Sequence, residues 1–433
     1  MRNVSSASVP ASEFDAHESG VRYYCRSMRA VFASAVNARV VDEDGNAYID
    51  FLSACGSLNY GHNHPRLKAR LIEFLNRDGL LNGLDLHTAA KRDFLKAFRD
   101  IVLAPRGMDY KVQFTGPTGT NAVEAALKLA RKVTGRQAVV AFTNAFHGMS
   151  LGAMAAGARQ QNRAAGEVRA EGITRLPYDG YHGAGIAELD RYAAMVEDPS
   201  GGVERPAAFI VETVQGEGGL NVARAEWLQH LAGIAKRLGA LLIVDEVQAG
   251  CGRTGDFFSF EFAGIEPDLV CIAKSIGGIG LPMALVLIRP QHDVWAPGEH
   301  NGTFRGNNLA FVAATAALEF WREPEFIARL AANVARVRQW LDAVAEDLGP
   351  AQVRVKGRGL MIGLAFADHA MAKRVAADAF RAGLLIETSG PHGEVLKLLP
   401  PLTIEPDVLD EGLGRLRSAI EGVLDLPQLR PAA

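Results

Sequence analysis

Apolar residues fall into two rhythms along the chain. Five short runs are apolar at nearly every position: AVVAF at 138–142, AAFIVET at 207–213, LLIVDEV at 241–247, DLVCIAK at 268–274 and MALVLIR at 283–289. Runs of this length without a polar face predict strands covered on both sides, as in a parallel sheet. Between them lie stretches such as EWLQHLAGIAKRLG, with apolar residues at helical spacing and Gly239 as a stop signal. The alternation predicts a large doubly wound α/β domain with a mostly parallel sheet. Before it, RVVDEDGNAYIDFLSA carries two alternating runs around Asp44-Gly45, the signature of a β-hairpin. After Glu323-Pro324 the rhythm changes to one long helical pattern, then to strands around VRVKGRGLMIGLAF and VLKLLPP. We therefore expect a second, smaller α+β domain assembled from both chain ends, residues 1–75 and 323–433, flanking a large domain at 76–322.

Composition narrows the function classes. The chain has 433 residues, 48% of them hydrophobic, and a net charge of -3, which provides no long-range attraction to nucleic acid or anionic membrane. Four scattered cysteines without a CxxC pair argue against a disulfide framework and a structural zinc site. The first twenty residues lack an apolar signal core and no later run is long enough to span a membrane, so a cytoplasmic location is expected.

Three features carry candidate chemistry. Gly116-Pro117-Thr118-Gly119-Thr120-Asn121 precedes a helical pattern, placing small residues where free N–H groups and the helix dipole favour a phosphate; ordinary capping is the competing reading. Asp245, Glu246 and Gln248 end an apolar run, the place where ligands gather in open α/β sheets. An acid there suits a ring nitrogen, and the alternative of a metal carboxylate in a nucleotide hydrolase lacks a GxxxxGK[ST] loop to support it. Lys274 ends another such run, where a desolvated amine is costly unless it is used, for example as a Schiff base with an aldehyde. In this order the three are what pyridoxal phosphate chemistry requires: a phosphate cradle, an acid for the ring nitrogen and a lysine. A nicotinamide dehydrogenase is disfavoured because no GxGxxG joins an early strand to a helix. His62 and His64 resemble a metal pair but have no further ligands beside them, so turn and packing roles are expected and no metal site is assigned.

With these features in view, the chain resembles the class III aminotransferases, a pyridoxal 5'-phosphate family of fold type I. The resemblance rests on YGHNHP at 60–65, TGTNAVEAALKLAR at 118–131, AFHGMS at 145–150, ETVQGEGG at 212–219, DEVQAGCGRTG at 245–255, GTFRGNN at 302–308 and GRGLMIG at 357–363. It implies that Lys274 holds the cofactor, Asp245 meets the ring nitrogen, Phe146 stacks on the ring and Gln248 contacts the ring hydroxyl. It further implies that Gly119 and Thr120 bind the phosphate, and that Thr303 reaches the phosphate of a neighbouring subunit in a homodimer with shared sites. Glu217 matches the gate residue that pairs with a substrate-carboxylate arginine when the amino donor is bound. Two departures stand out: Met149 and Lys397 occupy positions where many relatives carry arginine, and Arg305 stands where glycine is more usual, offering a substitute for the carboxylate contact. Wording such as VRYYCRSM and HNGTFRGNNLAF points within the family to transfer of a terminal amino group between glutamate and aspartate 4-semialdehyde. Ornithine, acetylornithine or 4-aminobutyrate transamination and a pyridoxal phosphate aminomutase remain alternatives.

Overall fold

The computed structural model describes residues 13–424; the start of the N-terminal polar stretch and the Pro-Ala tail lie outside the described residues. The five apolar runs all form strands. They sit in a seven-stranded sheet ordered Lys111–Phe114, Leu285–Ile288, Leu269–Ile272, Leu241–Asp245, Ala208–Val211, Val139–Phe142 and Ile173–Leu176. Alternate side chains of one strand enter different cores. Val140, Phe142, Phe209, Val211, Leu242, Val244, Val270 and Ile272 join one hydrophobic cluster. Their neighbours Val139, Ala141, Ala208, Ile210, Leu241, Ile243, Leu269 and Cys271 join another, with the alanine-rich helix Gly119–Thr134. Both faces are covered, which is why these runs show no polar period.

One strand departs from the parallel expectation. Leu285–Ile288 runs antiparallel to both Leu269–Ile272 and Lys111–Phe114. Its link from Lys274 is a tight turn through Gly277, Gly278 and Gly280, with no crossover helix to return the chain for a parallel pairing.

The hairpin forms as Arg39–Asp42 against Ala47–Asp50, with Gly45 at φ 81° in its turn. The strand Leu384–Leu385 adds in parallel to Ala47–Asp50, so the two ends of the chain share one sheet. A further antiparallel sheet holds Val353–Arg358, Met361–Phe366, Val395–Leu398 and Glu387–Ser389. Helix Pro324–Leu348 packs through Phe326, Leu330, Val337 and Leu341 into a core that also contains Ile49 and Phe51. His64 caps the helix Pro65–Asn76 by accepting from the Arg66 N–H at 3.3 Å, and His62 bonds Asp50 at 2.8 Å.

A short segment between hairpin and helix adopts an uncommon backbone. Ser53, Ala54 and Cys55 have φ of 46°, 45° and 58°, followed by Gly56 at 76°. A left-handed turn of L-residues costs on the order of 1–2 kcal/mol per residue. It is held by the Asp50 carboxylate, which accepts from the N–H groups of Leu52 and Ser53 at 2.8 Å each, and by the Ser275 hydroxyl, which donates to the Gly56 carbonyl at 2.7 Å. Because the Ala54 side chain is exposed, Ala54→Gly should relieve strain without opening a cavity. The expected result is a gain of about 1 kcal/mol in unfolding free energy from the shift in denaturant midpoint, with activity retained.

Candidate active site

The carboxyl ends of two neighbouring parallel strands converge at the site, with Asp245 level with Cys271. Beyond Ile272 the backbone turns sharply and sets Lys274 at φ 52°, a conformation that persists in a non-glycine residue only where the surroundings impose it. The Lys274 amine donates to the Cys55 carbonyl at 3.0 Å, so the left-handed turn supplies its acceptor. Burial lowers the amine's pKa, opposed by the charge of Glu217.

Asp245 is buried and fully engaged. One oxygen accepts from the Val247 N–H at 3.0 Å and the other bonds His147 Nδ1 at 2.7 Å. Burial opposes charge on His147, but the bond to Asp245 and the charges of Asp245 and Glu212 together outweigh it and raise the histidine pKa. Glu212, which accepts from the Phe146 N–H at 3.0 Å, is pushed up to about 7 by burial, with His147 pulling the other way. His147 and Glu212 thus form a buried support behind Asp245 that the motif reading did not single out, although both residues lie inside the motifs quoted above.

On the phosphate side, Gly119 and Thr120 begin the helix Gly119–Thr134, whose first N–H groups have no intrahelical partners. A side chain at Gly119 would come within 2.6 Å of Val247, so only glycine lets the helix start so close to the Asp245 loop. The Thr120 hydroxyl accepts from the Ser150 N–H at 3.2 Å, and capping by Thr118 and Asn121 is also present. Phosphate-cradle and capping readings therefore coexist in the same turn. Phe146 is half-buried.

Gln248 donates to the Cys55 carbonyl at 3.1 Å and to Glu217 at 3.4 Å, and a Cβ at Gly216 would lie 1.8 Å from its oxygen. Lys397 is fully buried, with its ammonium 2.9 Å from both Glu217 and Glu387. Lys397 lowers the Glu217 pKa to about 2 against the opposing effect of burial, and the two acids raise that of Lys397. Glu387, Cys55 and the turn around it had no motif to mark them. The signal for Glu387 lay only in its register opposite Lys397 on the neighbouring strand, which depends on pairing at a distance.

Two candidates stand apart within the single chain. Thr303 is exposed, next to Gly302, which lies opposite Gly116 of the loop before the helix Gly119–Thr134. Arg305 pairs with Asp85 and donates to the His300 carbonyl at 3.1 Å; these, rather than the Lys274 cluster, are its partners. Met149 is exposed.

Comparison with known proteins places the chain in a family. The family Aminotransferase class-III matches residues 23–420, and the chain belongs to it. Its members use pyridoxal 5'-phosphate. The chain is 56% identical over 411 residues to a diaminobutyrate–2-oxoglutarate transaminase of Nocardia farcinica, covering 95% of this chain and 94% of that protein. It is 49% identical over 416 residues to one of Halalkalibacterium halodurans, covering 96% and 97%. Among solved structures, an ornithine aminotransferase from Toxoplasma gondii superposes with a TM-score of 0.82 at 26% identity, over 95% of this chain and 94% of that one.

Glu246, next to Asp245, offers a test of the buried electrostatics. Its oxygens accept from Ser259, and burial pushes it from the ordinary 4.5 up to about 8, with Ser259 opposing. The folded state therefore holds a proton that the unfolded chain releases above its ordinary value, and stability falls as pH rises through this window. Thermal melts of Glu246→Gln across the same range should show a shallower alkaline decline than the parent; an unchanged slope would mean Glu246 is ionised in the fold.

Proposed function

We propose that the chain transfers the terminal amino group between L-glutamate and L-aspartate 4-semialdehyde, forming L-2,4-diaminobutyrate and 2-oxoglutarate. The substrate reading is supported by near-full-length similarity to diaminobutyrate–2-oxoglutarate transaminases. The chemical reading is carried by Lys274, a strained, desolvated lysine at the end of the strand next to that of a buried aspartate.

The residues present suit pyridoxal 5'-phosphate. Glycine at 119 and 216 lets the helix start and the Glu217 loop pack directly against Val247 and Gln248, the helix start offers N–H groups to a dianion, and Lys274 is an amine in a low-dielectric setting. In this reading Lys274 holds the cofactor, Asp245 meets its ring nitrogen, Phe146 covers the ring and Gln248 meets the ring hydroxyl. Gly119 and Thr120 bind the phosphate. When bound, the cofactor supplies an electron sink for the carbon that loses its proton. The chain's own part is positional and acid–base. His147 and the Val247 N–H orient Asp245, and the lowered pKa of Lys274 lets its amine accept and return a proton at the substrate carbon. Lys397 receives a substrate carboxylate when Glu217 swings off it, a role for which Arg305 is misplaced in its own chain.

The active unit in this reading is a homodimer in which Thr303 completes the partner's phosphate site. Exposed Leu84, Leu86 and Phe304, close to this segment, provide the apolar surface it needs. A large domain at 76–322 and a small one from 1–75 and 323–433 would frame the cleft. A cytoplasmic location accords with four free thiols. Among the described residues, no helix is long and apolar enough to cross a membrane.

The test is a half-reaction. Cofactor-loaded protein is mixed separately with diaminobutyrate, glutamate, ornithine and 4-aminobutyrate while its visible absorbance is followed. Rapid change with the first two and little with the others is expected; preference for ornithine or 4-aminobutyrate would discard the substrate. Lys274→Ala should lose turnover and the visible band while keeping its far-UV dichroism, and normal turnover in that variant would refute the assignment. Asp245→Asn should lower turnover by roughly a hundredfold, with cofactor content less affected.

A further inference from the structure

Lys397 is bracketed by two carboxylates that are not equivalent. Glu387 lies directly opposite it across the antiparallel pair of Glu387–Ser389 with Val395–Leu398, so strand register fixes this contact. Glu217 sits in the loop after Val214–Gln215, and its side chain is 25% exposed against 4% for Glu387. Glu217 can leave and Glu387 cannot. A glutamate or 2-oxoglutarate carboxylate that displaces Glu217 therefore finds Lys397 still paired, and no buried ammonium is stranded during the exchange.

With Glu217 in place the charges do not balance. One ammonium faces two carboxylates, which leaves a surplus negative charge. The other groups against Glu387 add no cation: its second oxygen is 3.7 Å from the Cys55 sulfur, which in turn lies 2.8 Å from the Tyr24 hydroxyl. Burial raises the pKa of both, that of Cys55 to about 11, so they stay neutral. The Lys274 amine also feels the charge of Glu217 and Glu387, but it is directed to the Cys55 carbonyl and, in the reading above, is committed to the cofactor, so it does not answer these acids in the loaded protein. A surplus charge in such a place is costly until a cation answers it.

We propose that Glu387 is a specificity-determining residue that selects amino donors carrying a second ammonium. The α-ammonium of a diamino acid answers the surplus charge that Glu387 creates beside Glu217 and Lys397; an ω-amino acid without one leaves it unanswered. The inference rests on the reading of a diamino donor and names the residue that enforces it.

The closest comparison is between diaminobutyrate and 4-aminobutyrate, which differ only by the α-amino group. In the parent holoenzyme the half-reaction kcat/KM should favour diaminobutyrate at least tenfold. Glu387→Gln should cut that ratio tenfold or more, chiefly through KM for diaminobutyrate, and Glu387→Asp should restore most of it. Equal losses for both donors in the Gln variant, or an unchanged ratio, would overturn the proposal, as would a parent enzyme that accepts 4-aminobutyrate equally well, whether or not the variants fold. Ornithine separates the two readings: if ornithine replaces diaminobutyrate as the preferred donor and its advantage over 4-aminobutyrate collapses in Glu387→Gln, Glu387 keeps its role and the diaminobutyrate assignment falls.

Discussion

The site is organised around one hydrogen bond, from the Lys274 amine to the Cys55 carbonyl. A primary amine taken out of water at the end of a buried strand needs an acceptor, and the neighbouring strands offer none because their carbonyls are used within the sheet. The acceptor comes from another part of the chain, in a turn whose backbone runs through the left-handed region. Lys274 is itself left-handed, so two strained segments meet, and Ser275 ties them by donating to Gly56. The strain is offset by the two hydrophobic clusters on either side of the seven-stranded sheet and by Asp50 beneath the turn.

What could be read in the sequence follows from the range of the interactions involved. The five apolar runs, the helix ending at Gly239 and the hairpin at Gly45 are local patterns, and each became the expected element. The antiparallel direction of Leu285–Ile288 was missed because an apolar run looks the same in either direction; only the shortness of the preceding turn distinguishes them. Lys274 and Asp245 could be singled out as candidates because a charged group at a strand end stands out against an apolar background. The turn at Ser53, Ala54 and Cys55 was not, since none of these residues favours a left-handed backbone and tertiary contacts impose it. Glu387 was invisible for a related reason: a lone acid gains meaning only when sheet pairing sets it beside Lys397.

Electrostatically the pocket has two unlike halves. Around Asp245, buried acids lie close to neutrality, with Glu212 pushed up to about 7 and Glu246 to about 8, so protonation there is easily shifted. Around Lys397, direct ion pairing holds Glu217 down near 2 and the charges persist across ordinary pH. In the proposed reading, adjustable protonation would sit next to the chemistry and persistent charge next to recognition.

The sheet that joins Ala47–Asp50 to Leu384–Leu385 bears on how the enzyme is made. During synthesis Lys274 leaves the ribosome well before Glu387 and Lys397, and the strand that seals the amino-terminal hairpin also comes late. Until then the amine of Lys274, although Glu217 has already emerged, lacks its enclosing wall. In the proposed reading, capture of an aldehyde cofactor would await the completed chain, since a nascent or truncated product would carry the lysine without its full pocket.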